Sequence, residues 1–184
     1  QAQQAHAYWG QAVEAAPDSY YGRRAADLTA GSPPVFPPDV TTQLDETPLD
    51  DADWAELATW LAGWRAGGAA YDMAADPLAR RARALLAIGW RAEAIETLTF
   101  LREQARNDPP RMLALVRLCD ELGVHGVGIA AAESLLAQSI AAKGPPAPLP
   151  LRRLLYPTAY GHLVRAQADQ YAIDPLWLLA LIRQ

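Results

Sequence analysis

Three histidines, one cysteine and a run of acidic side chains are the groups in this sequence whose types and spacing could attempt chemistry. His6, His125 and His162 stand far apart, and none of them has a second histidine at the interval by which one helix presents two imidazoles to a metal. Each reads as a surface or helix-end residue. Cys119 lies in ALVRLCDEL among apolar neighbours at helical spacing, so packing accounts for it better than nucleophilic attack. Asp45, Glu46, Asp50, Asp51 and Asp53 could be drawn as a metal cluster, yet carboxylates just before WAELATWLAGW are also what the positive end of a helix attracts. Capping and solvation are the expected roles. No Gly-rich loop leads into Lys-Ser or Lys-Thr to cradle a phosphate, and no Gly-x-Ser-x-Gly turn presents a serine. The residues present therefore predict no metal, no cofactor and no catalytic group of their own.

The aromatic residues offer a different chemistry, stacking against a sugar, because Tyr8, Trp9, Tyr20 and Tyr21 are concentrated in one short span. Against that stands their spacing. Ala5, Tyr8, Trp9, Ala12 and Val13 follow the stripe by which a helix faces a core, and Trp54, Leu57, Leu61 and Trp64 do likewise. Packing is the expected use of both sets.

The elements that would position these groups are almost all helical, since strict two-residue alternation is nearly absent and helix punctuation recurs along the chain. Asp-Pro at Asp76-Pro77, Asp108-Pro109 and Asp174-Pro175 combines a side-chain acceptor for the N-cap with a preset φ at the first helical position. Gly31, Gly67, Gly89, Gly123 and Gly144 each follow a helical pattern, where a left-handed residue can end it. Helices are predicted over 2–16, 19–30, 51–66, 77–88, 91–106, 109–122, 126–143, 158–172 and 175–184. Leu122-Gly123 answers Ile88-Gly89 at a spacing of 34, and Asp108 follows Asp76 by 32, which suggests two αα-hairpins of nearly equal length. The spacing matches a tetratricopeptide period, although the full consensus of that repeat is missing. The predicted fold is therefore all-α, with a TPR-like αα-hairpin superhelix over 1–143. A Pro-rich linker is expected over 32–50, and the proline-rich 144–155 is expected to be a second linker ahead of 156–184.

Bulk properties narrow the partners. The 184 residues are 51% apolar and carry a formal net charge of −5, so the chain can bury a substantial core and has no long-range attraction for phosphate backbones. Nucleic acid is not expected. A lone cysteine forms no internal disulfide and says little about compartment. No stretch reaches the roughly 18–20 apolar residues of a membrane span. QAQQAHAYWG has neither an initiator Met nor the pattern of a signal peptide, so a processed or cut start is expected.

Three segments resemble the soluble lytic transglycosylases of the bacterial envelope: APDSYYGRRAADL, LLAIGWRAEAIETLTFL and, most specifically, YPTAYGHLVRAQADQYAIDPLWLLALIRQ. In that family a helical superhelix precedes a lysozyme-like domain. That domain opens with a Tyr-Pro and Tyr pair, an amphipathic helix, an Asp-Pro cap and then Ala-hydrophobic-Ile-Arg-Gln-Glu-Ser. Tyr156-Pro157, Tyr160, Tyr171, Asp174-Pro175, Ala180, Ile182, Arg183 and Gln184 match this order. The likeness covers nearly the whole chain, although the first two thirds match only by diffuse pattern.

The resemblance implies that 156–184 is the opening stub of the lysozyme-like domain. It also implies that the catalytic glutamate would come directly after Gln184, so the chain alone is expected to be inactive. Ala180, Ile182, Arg183 and Gln184 would then flank the site. The activity implied for the parent is non-hydrolytic cleavage of the β-1,4 link between N-acetylmuramic acid and N-acetylglucosamine. One carboxylic acid would protonate the leaving oxygen, and its carboxylate would help the 6-hydroxyl close an anhydro ring. Peptidoglycan strands would be the substrate, cell-wall synthesis or remodelling proteins candidate partners, and the periplasm or another extracytoplasmic space the location. A helical-repeat scaffold that binds a protein, with no enzyme behind it, is the alternative.

Overall fold

The computed structural model describes residues 2–17, 19–31, 47–65, 70–158, 160–171, 173 and 175–183. Ten helices and no strand occur among the described residues, so the protein is all-α. By compactness the chain forms two units, Gln1–Gln43 and Leu44–Gln184.

The first unit holds α1 (Ala2–Ala15) and α2 (Tyr20–Thr29), packed on one another. The Ser19 hydroxyl caps α2 by accepting from the Gly22 amide at 3.0 Å. Gly22 is required there, because a Cβ would stand 2.0 Å from the Ala16 carbonyl oxygen. Of the stripe predicted on α1, Ala5, Trp9, Ala12 and Val13 are half-buried, whereas Tyr8 is 62% exposed. The pattern was right for the face and wrong for Tyr8, because Ala25 is the only fully buried apolar residue described in this small unit and little core exists to cover a ring.

The second unit begins with α3 (Asp51–Trp64), whose first turn is closed by a reciprocal capping box. The Asp53 amide donates to Asp50 at 2.9 Å and the Asp50 amide donates back to Asp53 at 3.2 Å. Asp50 and Asp53 are caps, as expected. Asp45 and Glu46 lie outside the described residues, as does most of the 32–50 linker.

Two antiparallel hairpins follow: α4 (Pro77–Ala87) with α5 (Arg91–Gln104), and α6 (Pro109–Glu121) with α7 (His125–Ala141). Asp76 and Asp108 are their N-caps with Pro at the first helical positions. The spacing of 34 is a structural register. Gly89 and Gly123 both take positive φ, and each first hairpin helix closes alike, by Trp90 N–H to Leu85 O and Val124 N–H to Cys119 O, both at 2.9 Å. Between hairpins, Arg91 donates to the Gly123 carbonyl at 2.9 Å and Arg83 pairs with Glu121 at 3.0 Å.

One core runs through the unit, with Leu57, Leu98, Leu101, Met112, Leu115 and Leu135 fully enclosed. Cys119 belongs to it, and burial pushes its thiol up to about 12, so it stays protonated and inert at neutral pH.

Two findings differ from the expected organisation near the end of α7. Lys143, not Gly144, takes the left-handed residue, with φ 55°. Gly144 is needed for space instead: a Cβ there would lie 2.5 Å from Ser139 Oγ and 2.6 Å from Trp64 Cβ. Gly144→Ala is therefore expected to lower stability by about 1–3 kcal/mol, the cost of overpacking a tight site, as read from a denaturant melt. An unchanged midpoint would mean that Trp64 yields freely.

The second difference is α8 (Leu149–Leu155), a helix inside the stretch expected to be a linker. Pro148 is its N-cap and Pro150 lies in its first turn, where the missing amides would have no helical partner anyway. Leu151 and Leu155 are buried against α3 and α7. Beyond it come α9 (Gly161–Tyr171) and α10 (Pro175–Arg183), which pack on each other.

Candidate functional site

Of the residues predicted to flank a site, Ala180, Ile182 and Arg183 lie on α10. Its sequence, PLWLLALIR, is apolar on all sides and reads as a helix enclosed within a domain. In this chain only Pro175 of α10 is buried; Trp177 is 62% exposed, and Leu181, Ile182 and Ala180 also face solvent. The reason is coverage: α9 offers one stripe, with Val164 and Ala168 buried, and cannot enclose every side of its neighbour.

A cavity of about 740 Å³ lies between α10 and the hairpins. Ile95 and Ile129 of the hairpins and Leu179 of α10 line its apolar walls, with Arg91, His125 and Arg102 among its polar atoms. Tyr156, Pro157 and Tyr160 reach it from one end of the sequence motif; Ala180, Ile182 and Arg183 reach it from the other. Tyr160 meets His125 edge-on, with ring centroids 5.6 Å apart. Tyr171 is exposed and does not line this cavity, while Asp174 and Gln184 lie outside the described residues.

Arg183 is the best-anchored member of the motif. Its Nε donates to the Leu155 carbonyl at 2.9 Å, its Nη2 to Glu133 at 2.7 Å, and its guanidinium stands 4.6 Å from the Tyr156 ring centroid. No carboxylate lines the cavity among the described residues; its polar lining is Arg91, Thr99, Arg102, His125, Tyr156, Thr158, Tyr160 and Arg183. A neighbouring hollow of about 220 Å³ contains Asp120 with His125, Arg153 and Thr158. Burial raises the Asp120 carboxyl above its ordinary range with help from Glu121, while His125 and Arg153 oppose the rise.

Sequence reasoning missed Arg91, Ile95 and His125 as cavity residues. The signal was available, because Arg91 and His125 are the first residues of α5 and α7 and stand 34 residues apart, the same spacing as Gly89 and Gly123. Glu133 had no such signal. His6, His125 and His162 form no cluster, and no group of acidic, histidine or cysteine side chains suited to a metal occurs among the described residues. No described helix is long and apolar enough to cross a membrane. No protein-family model matches the chain, and neither does any curated protein or solved structure.

Proposed function

We propose that this chain is part of a peptidoglycan lytic transglycosylase, with a TPR-like superhelix leading into the first helices of a lysozyme-like domain. The observation that carries the reading is convergence. Tyr156, Pro157 and Tyr160 are separated from Ala180, Ile182 and Arg183 by a whole helix, yet both groups line one cavity. A motif whose separated parts share one surface is better explained by a common site than by chance likeness along the sequence.

On this reading the acid follows Gln184 and is carried by the continuation of α10. Apolar neighbours such as Leu179 and Ile182 would disfavour its charged form and raise its pKa, as proton donation near neutral pH requires. The chain's own part is to hold that helix, with the hairpins as the frame, in the periplasm or another extracytoplasmic space.

A helical-repeat scaffold that binds a protein is the second reading, favoured by the stacked hairpins alone. The coding sequence past residue 184 and a digest together separate the two. The enzyme reading expects Glu-Ser at the next positions and no anhydromuropeptide released by residues 1–184 at any pH. Another residue in place of the glutamate, or release by residues 1–184 alone, would overturn the assignment of the acid.

A further inference from the structure

We infer that Arg183 is a positioning residue: it clasps the C-terminal end of α10 to the helical hairpins, so that the repeats set where that helix end points. The inference rests on the transglycosylase reading for its consequence, though not for its geometry.

The attachment of α10 is uneven. Its N-terminal end is fixed by buried Pro175 and by packing on α9. Along its length it faces the cavity of about 740 Å³, so close packing does not hold its remaining turns against α5 and α7. At its far end, Arg183 is the residue that reaches α7 and α8 by hydrogen bonds.

Arg183 closes that end by three contacts with two other elements. Leu155 is the last residue of α8, and its carbonyl belongs to the terminal group that a helix leaves without an internal partner. Arg183 Nε fills that vacancy at 2.9 Å, where the helix dipole also favours a cation. Glu133, on α7, takes the other arm at 2.7 Å. The Tyr156 ring beneath the guanidinium limits its tilt. A planar fork can satisfy a carbonyl and a carboxylate in different directions at once; an ammonium on a flexible stem fixes direction less well. Since the acid would lie two residues beyond Arg183, a small rotation here is passed almost directly to the reacting group.

Glu133 offers the cleanest test, because its side chain is 52% exposed and it lies on α7, outside the proposed catalytic groups. In the full-length protein, Glu133→Ala is expected to lower kcat on peptidoglycan about tenfold, as misplacement of a reacting group does, with KM and the thermal midpoint unchanged. Glu133→Gln should recover most of the loss, since its carbonyl oxygen still accepts from Arg183. In residues 1–184 without substrate, hydrogen exchange should quicken several-fold at the amides of Leu179 to Arg183 in Arg183→Ala and Glu133→Ala, and stay unchanged in α9. Unchanged exchange in α10 overturns the clasp. Quickened exchange with wild-type kcat in Glu133→Ala overturns its positioning role. Quickened exchange beside a wild-type protein that releases no anhydromuropeptide would sink the transglycosylase reading and leave the clasp standing.

Discussion

Asp76→Ala is expected to remove about 3–5 kcal/mol of stability, a large share of what a domain of this size possesses. Asp76 is 3% exposed and holds four donors: the Tyr71 hydroxyl at 2.7 Å, Arg111 Nη2 at 2.8 Å, and the amides of Leu78 and Ala79 at 2.8 and 3.4 Å. Truncation would strip the cap from α4 and leave the Arg111 guanidinium, itself largely buried, without its counter-charge. Both N-terminal ends of the paired hairpins are tied at this point.

The same contact has a pH signature. Burial alone would raise the Asp76 carboxyl, but the hydrogen bonds from Tyr71, Arg111 and the two amides outweigh it and hold the group below its ordinary range. A folded pKa below the unfolded one contributes stability that is fully present above about pH 4 and is lost as pH falls through the folded value. Asp76→Asn should flatten that acid limb of the stability curve. Tyr71 provides an independent readout: its hydroxyl is raised, first by the hydrogen bond to Asp76 and then by burial. In Asp76→Ala the tyrosine titration seen by absorbance should move down, toward its ordinary value. An unchanged melt and an unchanged tyrosine titration would show that the network carries no weight.

The second large effect concerns α8. Leu151 is fully enclosed, so Leu151→Asp both empties a packed site and buries a charge with no partner, and a loss above about 5 kcal/mol is expected. Leu151→Ala should cost about 2–5 kcal/mol through the cavity term alone. Circular dichroism at neutral pH should show the Asp variant without its cooperative melt and the Ala variant with a lowered midpoint. If both variants melt like the wild type, 144–155 behaves as the linker the sequence suggested.

That contrast shows which features the sequence makes legible. Caps are local, so Asp50, Asp76 and Asp108 could be placed from the residues beside them, and Gly89 and Gly123 from the helices they end. The helix α8 was hidden because prolines near Pro148 suggest extended chain, although Pro in a first helical turn costs nothing. Lys143 in the left-handed region was hidden because the tight contact with Trp64 and Ser139, rather than backbone freedom, is what reserves Gly144.

At the candidate site, the motif residues of 156–183 were visible from their order, but their companions were not. Arg183 and Glu133 are 50 residues apart, and nothing in either local sequence announces the pair. The exposure of α10 follows a related rule. An all-apolar helix shows that it can be buried, whereas burial itself depends on what surrounds it.

The most direct test of the transglycosylase reading is the mass of what the full-length protein releases from purified peptidoglycan. Ring closure by the 6-hydroxyl yields muropeptides ending in 1,6-anhydromuramic acid, one water lighter than hydrolytic products and without a reducing end. The account predicts those anhydro products. Release of reducing muropeptides, or of none above a buffer control, would contradict it.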